Sequence, residues 1–155
     1  MLPDATYKNI FTGGISEAEL SLQLAAIVQS SEDAIISKTL DGIVTSWNPG
    51  AEKLFGYTAD EMIGQPILKL LPPDRLNEET AILERIRKGE RIEHYYTIRR
   101  TKHGKLVDIF LTISPITDAE GRVSVASNIA RDVTENIIAR RRLEESAERL
   151  RMALE

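Results

Sequence analysis

The side chains that could take part in catalysis are few in this chain and lie apart. Residues 30–33, Ser-Ser-Glu-Asp, bring two hydroxyls and two carboxylates together, which are groups that hydrolytic sites use. No histidine or lysine stands beside them in the sequence to activate a hydroxyl, so we interpret the segment as a turn before a strand. The two histidines, His94 and His103, lie near a strand start and in a turn, where exposed polar residues are common. We therefore predict that this chain is not itself an enzyme.

The residue types and motifs that are absent from the sequence exclude further kinds of functional site. Cysteine is absent, which excludes disulfides, thiolate metal sites and cysteine nucleophiles. No glycine-rich phosphate loop follows a predicted strand. The net charge is −4, and no basic stretch carries aromatic residues that could stack on bases. A nucleic-acid partner and a metal site are therefore not expected.

Length and composition are those of one folded domain. The chain has 155 residues, of which 42% are hydrophobic and 28% are charged. No apolar run approaches the ~18 residues that cross a bilayer, and the N-terminus lacks the pattern of a signal peptide. We predict a cytoplasmic domain that makes no membrane contact of its own.

The N-terminal segment predicts a leader followed by a helix. Residues 1–15 show no periodicity and are predicted to be a flexible leader. Ser16 followed by Glu19 is a capping pattern, so an amphipathic flanking helix is predicted over 16–29. Its apolar face, which needs a packing partner, carries Leu20, Leu24 and Ile27.

The middle of the chain predicts strands interleaved with short helices. Asp41-Gly42 is a hairpin turn signal, Asn48-Pro49 is typical of a helix start, and a capping box begins at Thr58. The order of the predicted helices and strands along the chain predicts an α+β domain over 30–134, with a five-stranded antiparallel sheet and helices on one face. The predicted strands are 34–37, 43–47, 93–100, 106–116 and 123–133, and the predicted helices are 49–55, 58–64 and 76–88.

Residues 135–155 predict a C-terminal linker helix that continues beyond the last residue. Leu143, Ala147, Leu150 and Leu154 are spaced as in a heptad seam, and charged residues fill the other faces, which is typical of a coiled coil. The seam is short, so a helix packed on its own domain stays open as an alternative.

Three segments of this chain resemble the PAS family. Residues 48–57, Asn-Pro-Gly-Ala-Glu-Lys-Leu-Phe-Gly-Tyr, and residues 61–64, Glu-Met-Ile-Gly, are similar to its early helical signature. Residues 132–135, Asp-Val-Thr-Glu, resemble its closing Asp-x-Thr motif, and the resemblance covers about 24–134. It implies a PAS fold with a small enclosed cavity, in a bacterial multi-domain sensor histidine kinase or related signalling protein.

The resemblance makes coloured cofactors unexpected. The reactive cysteine of flavin-binding light-oxygen-voltage sensors would fall at Ile67, and their flavin-binding amides at Arg99, Ile109 and Ala130. None of these residues supplies the required group. The long helix carries no histidine for haem iron, which leaves His94 as the sole candidate ligand. We predict no cofactor, with haem and flavin both disfavoured.

When the chain is aligned with light-oxygen-voltage sensors, a set of its side chains is predicted to face the implied cavity. Arg99, with Thr97 and Tyr95 on the same face, could bind a carboxylate. The alternative is that Arg99 is a strand-end charge, solvated or paired with a neighbouring acid. The remaining inward-facing residues are apolar except for Asn128. They predict either an apolar cavity in which Asn128 alone can hydrogen-bond to a ligand, or a filled core that binds no ligand. The predicted cavity residues are Ile36, Leu54, Ile67, Leu83, Thr97, Arg99, Ile109, Leu111, Ile113, Ala126, Asn128 and Ala130.

The flanking segments predict how a signal leaves the domain. Asp132 and Thr134 lie where the last strand becomes the exit helix and are predicted to relay the signal. We expect a homodimer and a module that relays a signal to an output domain in the same chain, first of all a histidine kinase, with a cyclic-dinucleotide synthase as the alternative output. The alternative is a sensor of a colourless small molecule. The residues predicted to contact flanking helices or a second copy are Leu20, Leu24, Ile27, Val125, Ile129, Leu143 and Leu150.

Overall fold

The computed structural model describes residues 16–154, so the predicted leader 1–15 lies outside the described residues. The helices are α1 (Glu17–Ser30), α2 (Pro49–Phe55), α3 (Ala59–Met62), α4 (Leu76–Arg87) and α5 (Thr134–Leu154), with 3₁₀ turns at Ile67–Leu70 and Pro73–Arg75. The strands are β1 (Ala34–Thr39), β2 (Val44–Trp47), β3 (Ile92–Arg100), β4 (Leu106–Thr117) and β5 (Val123–Asp132).

The five strands form one antiparallel sheet in the order β2-β1-β5-β4-β3. The last strand therefore lies at the centre, between the N-terminal hairpin and the C-terminal meander. Asn128 on β5 is paired with Ile36 on one side and with Ile113 on the other. The predicted α+β fold with a five-stranded antiparallel sheet is confirmed.

Side chains alternate across the central strand β5, as its period of two requires. Ala126, Asn128 and Ala130 are buried on the face that packs against the helices. Val125 is half-buried and Ile129 is 40% exposed on the opposite face. The sheet thus has one core face and one face that a single chain leaves partly uncovered.

Asn48 fixes the point where α1, β1 and α2 meet. Its Oδ1 accepts hydrogen bonds from the amides of Ala51, at 2.9 Å, and Ile35, at 2.8 Å. Its Nδ2 donates to the carbonyls of Val28, at 2.9 Å, and Asp33, at 3.0 Å. The sequence indicated only the helix cap, whereas this amide joins three elements and satisfies all four of its hydrogen-bonding positions.

A β-bulge near the start of β3 sets which of its side chains face inward. His94 has a φ of 53°, and the pairing with β4 shifts between Ile92 and Tyr95. Ile92 pairs with Ile113 and Tyr95 pairs with Leu111. Because Ile113 and Leu111 share the core face, Ile92 and Tyr95 also share it although they are three residues apart.

The flanking helices keep most of their apolar side chains uncovered within one chain. In α1, Leu20 is buried, but Leu24 is 37% and Ile27 is 55% exposed. In α5, Leu143 is 72% and Leu150 is 64% exposed, and no residue between Thr134 and Leu154 is buried. The predicted N-terminal apolar face therefore does not close over the outer sheet within a single chain.

Candidate functional site

The core face of the sheet and the helices above it enclose a cavity of about 20 Å³. A space of this size holds about one water molecule. Seven predicted residues line it: Ile36, Ile67, Arg99, Ile109, Leu111, Asn128 and Ala130. The other lining residues, which sequence reasoning did not select, are Phe55, Leu70, Leu71, Glu79 and Ile82.

Five predicted cavity residues do not line this cavity. Four of them, Leu83, Thr97, Ile113 and Ala126, are buried elsewhere in the core. Leu54 is half-buried and lines a separate surface groove of about 500 Å³, because its neighbour Phe55 takes the inward position on α2. Glu79, which was not among the predicted residues, lines the cavity together with the predicted Arg99 and Asn128, so three polar side chains face it.

Glu79 is held by a buried lysine that the sequence reasoning missed. Lys38 on β1 is fully buried, and its Nζ lies 2.5 Å from Oε1 of Glu79 on α4. Burial lowers the pKa of Lys38, and the negative charge of Glu79 opposes that shift. Strand alternation could have found it, because Lys38 is two residues from Ile36 and therefore faces the same side of β1.

Glu78, the residue before Glu79 on α4, collects hydrogen bonds from β3. Its Oε1 accepts from the hydroxyls of Tyr95, at 3.1 Å, and Thr97, at 2.7 Å, and from Nη1 of Arg99, at 3.2 Å. Its Oε2 accepts from Nη1 of Arg75 at 3.0 Å. Of the two alternatives for Arg99, the pairing with a neighbouring acid is the one observed.

The charge states of this cluster follow from burial and from these contacts. Burial alone would raise the pKa of Glu78, but hydrogen bonds from Thr97 and Arg75 and the charge of Arg99 outweigh it, so the pKa is lowered. Burial and the negative charge of Glu78 raise the pKa of Tyr95. The carboxylate thus stays ionised and the phenol stays protonated, which suits the hydrogen bond between them.

Asn128 brings a further polar group to the cavity. The residue is 6% exposed, and its Oδ1 accepts no hydrogen bond from any side chain or backbone group in residues 16–154. A buried carbonyl of this kind normally has a partner. Its position beside Arg99 and Glu79 makes the cavity polar along one side.

The two predicted relay residues lie at the junction of β5 and α5 and are tied to β4. Oδ1 of Asp132 accepts from the amide of Thr134 at 2.9 Å. Oγ1 of Thr134 accepts from the amide of Asp108 at 3.0 Å, and the amide of Val133 donates to the Asp108 carbonyl at 2.8 Å. Asp108 also accepts a hydrogen bond from the hydroxyl of Tyr96. The exit helix is thus fastened to β4, an inner strand of the sheet.

The described part of the chain lacks both the side-chain groups of a metal site and a membrane-spanning helix. That part of the chain holds no group of three or more histidine, cysteine or acidic side chains that could bind a metal ion. His94 and His103 are both exposed, and neither lines the enclosed cavity. Between residues 16 and 154, no helix is long and apolar enough to cross a membrane.

Comparison with known proteins places most of this chain within a single family. The family model for the PAS fold matches residues 22–133. The signal transduction histidine-protein kinase AtoS of Escherichia coli is 30% identical over 125 residues, which is 80% of this chain and 20% of AtoS. A phytochrome of Pinus sylvestris is 32% identical over 88 residues, which is 52% of this chain and 8% of the phytochrome. The chain thus spans a fifth or less of these relatives.

Solved structures with a similar fold include a PAS domain and a light-oxygen-voltage receptor. A PAS domain from Colwellia psychrerythraea superposes with a TM-score of 0.70 and 26% identity, over 75% of this chain and 98% of that one. An RNA-binding light-oxygen-voltage receptor superposes with a TM-score of 0.73 and 25% identity, over 89% of this chain and 40% of that one.

Proposed function

The chain belongs to the PAS family, and from this premise we propose that it is a sensory and dimerisation module that relays a signal through α1 and α5. The observation that carries the proposal is the exit helix. It leaves the sheet at the hydrogen-bonded junction of Asp132, Thr134 and Asp108, and then runs for 21 residues without a buried side chain. A helix anchored at one end and uncovered along its length suits a connector to another domain.

The exposed apolar side chains support a homodimer. Leu143 and Leu150 are seven residues apart on α5, so they lie on one face of the helix and could form a two-stranded seam. Leu24 and Ile27 on α1 and Ile129 on the outer sheet face are also exposed. A second copy of the chain would cover both surfaces at once, because each copy presents the same apolar groups.

The output domain is inferred from the relatives. AtoS is a histidine kinase by name and is similar over 80% of this chain, so we infer that the module regulates a histidine kinase in the same protein. The chain itself acts by contact and not by catalysis, in the cytoplasm and without a nucleic-acid partner. These four statements stay predictions, and kinase activity measured in the full-length protein would test the inferred histidine-kinase output.

Light scattering tests the dimer. The chain at about 50 µM should have the mass of a dimer, and replacement of Leu143 and Leu150 by glutamate should give a monomer of unchanged fold, because charges in the seam repel. Leu68→Glu with Leu106→Glu is the matched control, since these leucines are also exposed but lie outside the seam. A wild-type monomer at this concentration would contradict the proposal.

A ligand-binding sensor is the second candidate, supported by the three polar groups that face one cavity. Glu79, Arg99 and Asn128 could orient a small colourless molecule only after the 20 Å³ space, which holds about one water molecule, expands several-fold. We expect neither haem nor flavin, because the lining offers no imidazole for haem iron and no thiol for a flavin adduct, and the space is far smaller than either ring system. An absorption spectrum and native mass spectrometry of the purified chain would test both statements.

A further inference from the structure

Three polar side chains meet at the enclosed cavity of about 20 Å³, and each of them is more than nine-tenths buried. Glu79 is 5% exposed, Arg99 is 4% exposed and Asn128 is 6% exposed. They belong to α4, β3 and β5, so the cavity lies where the covering helix meets the sheet. Cavities that stay dry are lined by apolar side chains, and this lining is polar on one side.

The hydrogen-bonding capacity of these three side chains is not used up by the rest of the chain. Oδ1 of Asn128 accepts no hydrogen bond from residues 16–154. The hydrogen bonds that Arg99 donates within the described chain all start from Nη1, whereas a guanidinium has five N–H groups on three nitrogens. Lys38 binds Oε1 of Glu79, and a carboxylate accepts about four hydrogen bonds. The cavity lining thus offers two acceptors and one donor to a guest.

The charges around the cavity cancel in pairs, so the site favours a neutral guest. Lys38 and Glu79 lie 2.5 Å apart, and Nη1 of Arg99 lies 3.2 Å from Oε1 of Glu78. Arg75, which also contacts Glu78, is 34% exposed and is screened by solvent. A bound ion would add an unbalanced charge where burial prevents screening. Size sets the other limit, because the space holds about one water molecule.

We propose that the cavity is a binding site for one internal water molecule, which donates hydrogen bonds to Oδ1 of Asn128 and to Glu79 and accepts one from Arg99. Three partners is the usual number for a buried water. The water completes a polar path from the Lys38–Glu79 pair to β5, the central strand that leads into α5. The covering helix and this strand are then joined by hydrogen bonds as well as by apolar packing. The proposal depends neither on dimerisation nor on the output domain.

Nuclear Overhauser effects between water and methyl groups test whether water occupies the cavity. The methyl groups of Ile36 and Leu71 line it, and these residues are at most 2% exposed, so bulk water does not reach them. Cross peaks of the sign given by a long-lived bound water should connect the water resonance to both residues. Ile86 is the matched control, since it is equally buried but does not line the cavity, and it should show none.

The variant Asn128→Leu identifies the site. Leucine removes the acceptor and its larger side chain fills the space, so the cross peaks to Ile36 and Leu71 should disappear. Magnetic relaxation dispersion of the water signal counts long-lived internal water molecules, and the count should be lower by one in this variant. Glu84→Ala, an exposed substitution on α4, should leave the count unchanged. If Asn128→Leu does not fold, Asn128→Met replaces it, because methionine adapts its shape to irregular spaces.

Three results would overturn the proposal. A wild type without cross peaks from water to Ile36 and Leu71 would show that the cavity is dry. Cross peaks that persist in Asn128→Leu would show that they come from an exchanging hydroxyl or ammonium group nearby. Cross peaks from the same methyl groups to a co-purified molecule, identified by native mass spectrometry, would show that the site takes a larger guest than water.

Discussion

Lys38 on β1 and Glu79 on α4 form an ion pair inside the core, with Nζ and Oε1 2.5 Å apart. Lys38 has no exposed surface and Glu79 is 5% exposed, so water screens neither charge. The pair connects the first strand to the helix that covers the cavity, 41 residues later in the chain. If either charge is removed, the other stays buried without a counter-charge, because water cannot reach it to replace the lost partner.

Glu79→Ala should therefore destabilise the fold by about 3–5 kcal/mol, because it leaves the Lys38 ammonium buried without a counter-charge. The double variant Lys38→Met with Glu79→Leu should recover to within about 1 kcal/mol of the wild type or exceed it, since it removes both charges. Urea unfolding measures both values. Glu84→Ala is the surface control, and a double variant as unstable as the single one would contradict the explanation.

Acid should weaken the fold through Glu78. Its pKa in the folded chain lies below the ordinary value of 4.5, so the unfolded chain takes up the proton at a higher pH. Glu78 therefore stabilises the fold above about pH 4.5, and this contribution is lost as the pH falls through the folded-state pKa. Urea unfolding between pH 3 and 6 should show a steeper acid loss for the wild type than for Glu78→Gln. Identical slopes would show that Glu78 is not linked to stability.

The bulge in β3 predicts a stabilising substitution. His94 is the one non-glycine residue with positive φ between residues 16 and 154, at 53°, and its side chain is exposed. His94→Gly should raise the free energy of unfolding by about 0.5–1 kcal/mol, since glycine adopts this backbone conformation without strain. Glu93→Gly, one residue earlier and with negative φ, should lower stability instead. Thermal unfolding of the two variants compares them, and a loss of stability in both would contradict this account.

Local sequence signals were enough to predict the helices and strands, but not the side-chain contacts of the candidate site. The helix start at Asn48 and the capping box at Thr58 each depend on residues a few positions apart, and the structure has both. The pairs Lys38–Glu79 and Arg99–Glu78 join residues 41 and 21 positions apart, so no local pattern predicts them. The bulge at His94 likewise depends on the pairing of β3 with β4. Lys38 was missed although it alternates in phase with Ile36 on β1, because a lysine is typical of the surface.

Asp132 should hold the first turn of α5 in place. Asp132→Ala removes the acceptor of the Thr134 amide, 2.9 Å away, and leaves the core untouched because Asp132 is exposed. We expect a loss of about 0.5–2 kcal/mol, as for other side-chain acceptors at helix starts, and faster hydrogen exchange confined to the beginning of α5. Circular dichroism should show the same fold.

The control for this variant is Glu135→Ala, because Glu135 is exposed in the same turn and accepts no hydrogen bond that fastens the helix to Asp108. Its exchange rates should match those of the wild type. In the full-length protein, Asp132→Ala should weaken the coupling between the sheet and the output domain, since the proposed route through α5 starts at this junction. Unchanged output together with faster exchange in α5 would show that the junction stabilises the exit helix without transmitting a signal.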